Sequence, residues 1–149
     1  MQLITAPSPD KGMYPLSLFL AGGITKCTDW QAEIALRLSR FDITVFNPRR
    51  KITPKGYLDI VKQIEWEYYR LRRVTIVAFW FAPETLNPIT LFELGATLAR
   101  GHSEIIVGVS PKYKRRLDVI EQCKLQHQQV MTGFDQFTQE IKSKIETLL

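Results

Sequence analysis

One carboxylate stands out in the segment PITLFELGATLA, residues 88–99, because Glu93 is its only charged residue. The apolar residues around it are typical of a helix packed against a core. A carboxylate is costly to bury unless it is paired, hydrogen-bonded or used in a reaction. At a ligand site Glu93 could act as a nucleophile or a general base, or it could be a structural hydrogen-bond acceptor. The residues alone leave these roles open.

Other residues with binding chemistry lie earlier in the chain. Gly22 and Gly23 follow the apolar run LSLFLA and could let a ligand approach the backbone, although such a pair is more often a simple turn. This pair is neither GxGxxG nor a P-loop, so it does not indicate a dinucleotide or triphosphate site. Arg49 and Arg50 could bind phosphate, or they could belong to a solvated loop. Trp80 could stack on a base or lie in the core.

The segments that must position these residues alternate between strand and helix patterns. LSLFLA predicts a buried strand, and DWQAEIALRLSRF predicts a helix with Asp29 as its N-cap. ITVF predicts a second strand, followed by a loop and a helix over residues 57–73.

The second half of the chain continues this alternation. VTIVAFWF, with β-branched and aromatic residues throughout, is typical of a central parallel strand. Asn87 is a suitable N-cap for the helix that carries Glu93, with Pro88 in its first position and Gly101 at its end. The remaining predicted elements are a strand at EIIVGV, a helix at SPKYKRRLDVIEQCKL capped by Ser110 with Pro111 first, a short strand at QQVM, and a final helix from Asp135.

Five strands alternating with five helices predict an α/β fold, a doubly wound five-stranded parallel sheet in the flavodoxin-like order 2-1-3-4-5. Ligands bind such sheets at the carboxyl ends of the strands where the order reverses, here between strands one and three. The Gly22-Gly23 loop and the helix bearing Glu93 should therefore converge. We also expect the N-terminus of that helix to favour the ionised carboxylate.

Composition fits one domain over residues 1–149, with 45% hydrophobic and 23% charged residues. Cys27 and Cys123 lack the spacing of a zinc site or a disulfide framework, and no apolar segment has the length of a membrane span or a secretory signal. We therefore expect a cytoplasmic protein. His102 and His127 have no nucleophile nearby in sequence and are assigned no role. The net charge of +5 favours anionic ligands, but its dispersion argues against a nucleic-acid partner.

Six motifs in order resemble the nucleoside 2-deoxyribosyltransferase-like family. They are FLAGGI, DWQ, VFNPRR, QIEWE, and VTIVAFWF followed by PITLFELG, between about Leu18 and Gly101. The resemblance implies cleavage of an N-glycosidic bond, in which the glutamate of the ELG motif, here Glu93, attacks the anomeric carbon. A second nucleobase then displaces the glycosyl group, with net retention, whereas hydrolytic relatives pass the sugar to water.

The resemblance further implies a nucleoside or nucleotide and a nucleobase as ligands, a homo-oligomer, and no cofactor, metal or membrane partner. The chain departs from the family at two acidic positions. Asn87 stands six residues before the glutamate, where the family commonly has an aspartate. The aspartate at the end of the central strand is absent, and Glu84 is the nearest acid. Asparagine cannot transfer a proton as a carboxyl group can. Besides Glu93 as the catalytic residue, the predicted substrate-binding residues are Gly22, Gly23, Asp29, Trp30, Arg49, Trp80, Asn87 and Thr90.

Three functional hypotheses remain open at this point. The first is an enzyme that transfers or hydrolyses the sugar of 2′-deoxynucleosides, with Glu93 as the nucleophile. The second is a nucleoside 5′-monophosphate N-glycosidase, suggested by Arg49, Arg50 and the positive net charge. The third is a catalytically silent nucleotide-binding module, suggested by the missing aspartates.

Overall fold

A computed structural model describes residues 1–10, 12–101 and 104–149 of the protein. The described residues form six strands and five helices. The strands are β1 (Gln2–Thr5), β2 (Ser17–Gly22), β3 (Thr44–Asn47), β4 (Ile76–Phe81), β5 (Glu104–Val109) and β6 (Val130–Met131). The helices are α1 (Trp30–Arg37), α2 (Tyr57–Arg73), α3 (Pro88–Arg100), α4 (Arg116–Leu125) and α5 (Phe134–Leu148).

The strands form one parallel sheet in the order β1-β3-β2-β4-β5-β6. The order predicted for five strands is confirmed, since β3-β2-β4-β5-β6 is the order 2-1-3-4-5. The sheet has six strands and not five, because the N-terminal segment QLIT pairs with β3 at the edge. Only Ile4 of β1 is buried, so the segment shows neither the alternation nor the apolar run by which strands are recognised.

Helices cover both faces of the sheet, as expected for a doubly wound fold. β4 is buried along its whole length between β2 and β5, as its sequence predicts. One face packs against α2, α3 and α4, through side chains such as Leu71, Leu94 and Cys123. The other face packs against α1 and α5, through side chains such as Ile34 and Ile141.

The helix ends next to the predicted site follow the expected chemistry with one exception. The Asp29 carboxylate accepts a hydrogen bond from the backbone N–H of Ala32 at 3.1 Å and caps α1. Helix α3 begins at Pro88 and ends before Gly101, whose φ of 69° is left-handed. Asn87 holds the N-cap position of α3, but its side chain makes no capping bond to that helix. Its amide instead donates to backbone oxygens of the loop before α3.

The predicted start of α4 is wrong. The helix begins at Arg116 and not at Pro111. The Ser110 hydroxyl accepts from the backbone N–H of Lys112 at 3.2 Å, and its carbonyl accepts from that of Tyr113 at 3.0 Å. These bonds close a turn in place of a helix N-terminus, because serine satisfies turn and cap geometries equally well.

The last helix, α5, begins at Phe134 next to the predicted Asp135. It places Phe137, Ile141 and Ile145 at helical spacing against the sheet, and all three are fully buried. The chain beyond α4 therefore contributes to the same core as β2 and β4. Among the helices in the described part of the chain, none has the length and apolarity that crossing a membrane requires.

Candidate active site

A pocket of about 270 Å³ lies where β2 and β4 end and α3 begins. This is the position expected for a ligand in a sheet of this order. Its floor is formed by β2, its loop side by the segments after β2 and β4, and its helix side by α2 and α3. The lining residues are Phe19, Ala21, Gly22, Gly23, Ile24, Thr25, Pro48, Glu67, Thr85, Asn87, Pro88, Ile89, Thr90 and Glu93.

Gly22 and Gly23 allow the two loops to pack directly against each other. A Cβ atom on Gly22 would lie 2.5 Å from the backbone oxygen of Trp80 and from the ring of Trp30. A Cβ atom on Gly23 would overlap the Asn87 side-chain oxygen. Packing within the protein is thus sufficient to require glycine at both positions, whatever a ligand needs there.

Arg49 fastens the segment after β2 to the start of α1. Its guanidinium donates hydrogen bonds to the Gln31 side-chain oxygen at 3.2 and 3.1 Å. It also donates to the backbone oxygens of Ile24 at 3.1 Å and Thr28 at 3.0 Å. A bond to the Cys27 backbone oxygen at 3.4 Å and an ion pair with Asp29 at 3.1 Å complete the set. These protein partners occupy the donors that a phosphate would need.

The Gly23 carbonyl is held from below by two buried side chains. The Trp30 indole N–H donates to it at 3.1 Å, and the Gln31 amide donates to it at 3.4 Å. Trp80 lies in the core on the α1 and α5 face, with its ring centroid 5.2 Å from that of Phe137.

The predicted site residues fall into two groups. Those that line the pocket are Gly22, Gly23, Asn87, Thr90 and Glu93. Those that lie behind its wall are Asp29, Trp30, Arg49 and Trp80.

The Asn87 side chain stabilises the loop between β4 and α3. Its oxygen accepts from the Thr85 hydroxyl at 2.7 Å. Its nitrogen donates to the backbone oxygens of Ala82 at 3.3 Å and Thr85 at 3.2 Å. These bonds occupy both amide hydrogens and hold Asn87 in a left-handed backbone conformation with φ of 48°. The side chain is therefore a loop brace that also forms part of the pocket wall.

Two carboxyl groups, Glu93 on α3 and Glu67 on α2, share the helix side of the pocket. Burial raises the pKa of Glu93 to about 8, and the nearby charge of Glu67 adds to the effect. Burial also raises the pKa of Glu67, partly offset by a hydrogen bond from the Gln63 amide at 2.7 Å. Burial therefore opposes the ionised form of Glu93 that the N-terminus of α3 was expected to favour.

Glu67 is the residue that the sequence pattern did not single out. It follows Trp66, which is buried, and it lies one helical turn after Gln63, whose amide also donates to the Pro48 oxygen at 3.0 Å. A carboxylate beside a buried tryptophan in the QIEWE motif was the available signal. It was obscured because α2 carries many charged residues, most of which are exposed.

A second cavity of about 660 Å³ runs between α2 and α3 and adjoins the pocket at the two carboxyl groups. Its walls are mainly apolar, with Ile60, Ile64 and Phe92 among them, and these three side chains are 48%, 59% and 75% exposed. Arg72 and Arg100 line this groove and not the pocket. The carboxyl groups therefore lie where the small pocket meets the larger apolar groove.

The ionisable residues of the pocket lining, within the described part of the chain, are Glu67 and Glu93 alone. Glu84, the nearest acid by sequence, accepts bonds from the Thr28 hydroxyl at 2.6 Å and backbone at 3.2 Å and does not line the pocket. These bonds lower the pKa of Glu84. No group of three or more potential metal ligands occurs in residues 1–10, 12–101 and 104–149. His102 lies outside the described residues.

A comparison with protein families matches residues 15–113 to the family described as "Nucleoside 2-deoxyribosyltransferase like". The matched range holds β2 through β5 and every residue that lines the pocket. A comparison with curated proteins found none that matches the chain. Because the family match covers most of its length, the chain belongs to the nucleoside 2-deoxyribosyltransferase-like family.

Proposed function

We propose that this protein cleaves the N-glycosidic bond of 2′-deoxynucleosides and transfers the sugar to another nucleobase. The observation that carries the proposal is the position of Glu93, partly buried on α3 at the sheet crossover in a chain of this family. Ionised Glu93 attacks C1′ of the sugar while the bond to the base breaks and its electron pair leaves with the base. A second base then attacks C1′ of the glycosyl ester and releases Glu93. Two displacements give retention.

The remaining predicted residues receive supporting roles in this proposal. Thr90 and the Gly22-Gly23 loop border the sugar, and Asn87 borders the base as part of the wall. Arg49 and Trp30 act through the loop that they hold, because their donors bond to the protein. Asp29 stabilises the start of α1, and Trp80 supports the strand beneath the pocket.

A nucleoside fits this pocket better than its 5′-monophosphate. The lining carries two carboxyl groups and no basic side chain among the described residues, so a phosphate dianion would meet repulsion. The monophosphate hypothesis rests on Arg49, Arg50 and the positive net charge. Arg49 is committed to protein acceptors, and Arg50 donates to the Asp59 carbonyl at 3.2 Å. We therefore place the monophosphate second.

We further propose that the whole of residues 1–149 acts as one such domain in a reducing cytoplasm. The segment after the family match, with α4, β6 and α5, packs on the same sheet as the pocket. The free cysteines Cys27 and Cys123 agree with reducing surroundings.

A second copy of the chain is the proposed occupant of the α2 and α3 face. Exposed apolar side chains there, including Phe92 and Ile89 at 75% and 65% exposure, adjoin the carboxyl groups. Apolar surface of this kind is typical of interfaces. A homo-oligomer would cover the groove and exclude water from the adjoining pocket, and sedimentation of the purified protein checks its formation.

The test of the proposed activity is chromatography of the protein incubated with each 2′-deoxynucleoside and each 5′-monophosphate, with and without a second free base. A new nucleoside that forms only with the added base identifies a transferase, and free base without it identifies a hydrolase. Glu93→Ala should be silent in both assays, whereas Glu65→Ala, an exposed carboxylate on α2, should match the unchanged protein. Turnover retained by Glu93→Ala contradicts the mechanism. Saturable ligand binding with no product supports the silent module.

A further inference from the structure

The departing nucleobase needs a proton donor, and the residues expected from the family do not provide one here. A neutral base leaves poorly as an anion, so a positioned acid accelerates the step by about 10²- to 10⁴-fold. Asn87 cannot transfer a proton, and its amide hydrogens are bonded to backbone oxygens. Glu84 is held by Thr28 outside the pocket lining, and Asp29 caps α1 and pairs with Arg49. The acid must come from another element.

Glu67 has the position that this role requires. It reaches the pocket from α2, opposite the loops, and lines both the pocket and the groove beside Glu93. The Gln63 amide donates to one Glu67 oxygen and is itself anchored on the Pro48 carbonyl, which fixes that carboxyl edge. Among the described residues no basic side chain shares the pocket lining with Glu67, and the arginines that line the adjoining groove with it are Arg72 and Arg100.

We propose that Glu67 is the catalytic acid and base that protonates the leaving nucleobase and deprotonates the incoming one. The inference rests on the proposed function of Glu93. In the first step the Glu93 carboxylate bonds to C1′, the C1′–N bond breaks, and the Glu67 proton passes to the base. In the second step the incoming base attacks C1′, its N–H proton passes to the Glu67 carboxylate, and the Glu93 carboxylate is released. Both steps balance, and the enzyme returns to its starting protonation.

The electrostatics of the pair agree with one shared proton. Two neighbouring carboxyl groups in a partly desolvated site do not both ionise readily, so a single proton is retained near neutral pH. Burial raises the pKa of both groups. The pKa of about 8 places this proton on Glu93 in the free enzyme. As positive charge develops at C1′, the Glu93 carboxylate is favoured and the proton passes to Glu67. Retaining glycosidases divide nucleophile and acid between two carboxyl groups in the same way.

The test compares leaving groups that do and do not need a proton. Glu67→Gln keeps the size and hydrogen bonding of the side chain but cannot act as an acid. For a purine site the pair is 2′-deoxyguanosine and 7-methyl-2′-deoxyguanosine, whose base leaves neutral without protonation. For a pyrimidine site it is thymidine and 5-fluoro-2′-deoxyuridine, whose base leaves more readily as an anion. Glu65→Gln on the same helix is the control.

We expect Glu67→Gln to lower kcat for the ordinary nucleoside by about 10²-fold or more and to affect the activated one far less. Equal losses on both substrates, or no loss, overturn the role of Glu67. If Glu67→Gln fails to fold, Glu67→Ala with added formate serves instead, and formate should restore turnover of the ordinary nucleoside; absence of rescue counts against the proposal. Inactive unchanged protein, or an active Glu93→Ala, would refute the proposed function itself, which separates the two failures.

Discussion

The loop side and the helix side of the pocket differ in how their polar groups are satisfied. On the loop side Arg49 bonds to five backbone or side-chain acceptors, and the Asn87 amide bonds to its own loop. On the helix side Glu67 receives one side-chain bond from Gln63, and burial raises the pKa of Glu93 to about 8. Polar groups bonded within the loops fix a geometry, whereas carboxyl groups with raised pKa values in a cleft are candidates for chemistry.

This difference between the loop side and the helix side explains why a pocket of only about 270 Å³ holds two carboxyl groups. The loops can approach closely because their donors and acceptors satisfy one another, which leaves little conformational freedom. The carboxyl groups are supplied by two separate helices that the sheet already positions. Each side can be tested with a substitution that should leave the other side intact.

The largest effect is expected from overfilling the loop side with Gly23→Ala. The new methyl group would overlap Asn87 and lie 2.6 Å from the Cys27 sulfur, so the brace between β4 and α3 must shift. We expect a loss of about 3 kcal/mol or more in unfolding free energy and loss of turnover. Gly95→Ala is the matched control, because no atom lies within 4 Å of the added Cβ on α3. Urea unfolding measures both variants, and equal stability of the two would contradict the packing account.

The next effect concerns the helix side and depends on pH. The pKa of Glu93 is about 8 in the folded protein and 4.5 ordinarily, so folding favours its protonated form. The contribution of protonated Glu93 to the free energy of unfolding is fully present below about pH 4.5, and it is lost as the pH rises through 8. Glu93→Gln should therefore unfold about like the unchanged protein at pH 4.5 and be more stable by about 3 kcal/mol at pH 9.

Urea unfolding at the two pH values tests this prediction, with Glu65→Gln as the control for an exposed carboxylate on a neighbouring helix. A stability gain that does not change with pH would mean that burial does not suppress ionisation of Glu93. The same substitution should abolish turnover, so a site that is costly for stability would be retained for chemistry.

Much of the fold was predictable, because the hydrophobic periodicity of each segment and the alternation of strands with helices suffice to predict a doubly wound sheet. β4 and α3 follow from an apolar run and from Pro88 and Gly101, which act locally. β1 did not follow, because an edge strand with one buried residue carries no pattern. The start of α4 did not follow either, since Ser110 forms a turn that its sequence does not distinguish from a cap.

A site residue was predictable only where its polarity differs from that of the neighbouring sequence. Glu93 was identifiable as a charge in an apolar helix. Glu67 was not, because its partial burial arises from the approach of α2 to α3, which is a tertiary contact. The same limit applies to Arg49, whose acceptors Ile24 and Thr28 are backbone oxygens of a loop and leave no trace in side-chain identity.

The smallest effect is expected from Arg49→Lys, which keeps the positive charge on the loop side but removes the planar guanidinium that bonds to several acceptors at once. Lysine offers one ammonium group in place of a planar fork and cannot reach Gln31, Ile24 and Thr28 together. We expect a loss of about 2 kcal/mol in unfolding free energy. The fall in kcat/KM should be about tenfold, equal for a 2′-deoxynucleoside and its 5′-monophosphate, because Arg49 acts through the loop. Arg50→Lys, at a position with one bond to Asp59, should change little. A loss confined to the monophosphate would instead make Arg49 a phosphate ligand, and the loop side would then take part in substrate recognition.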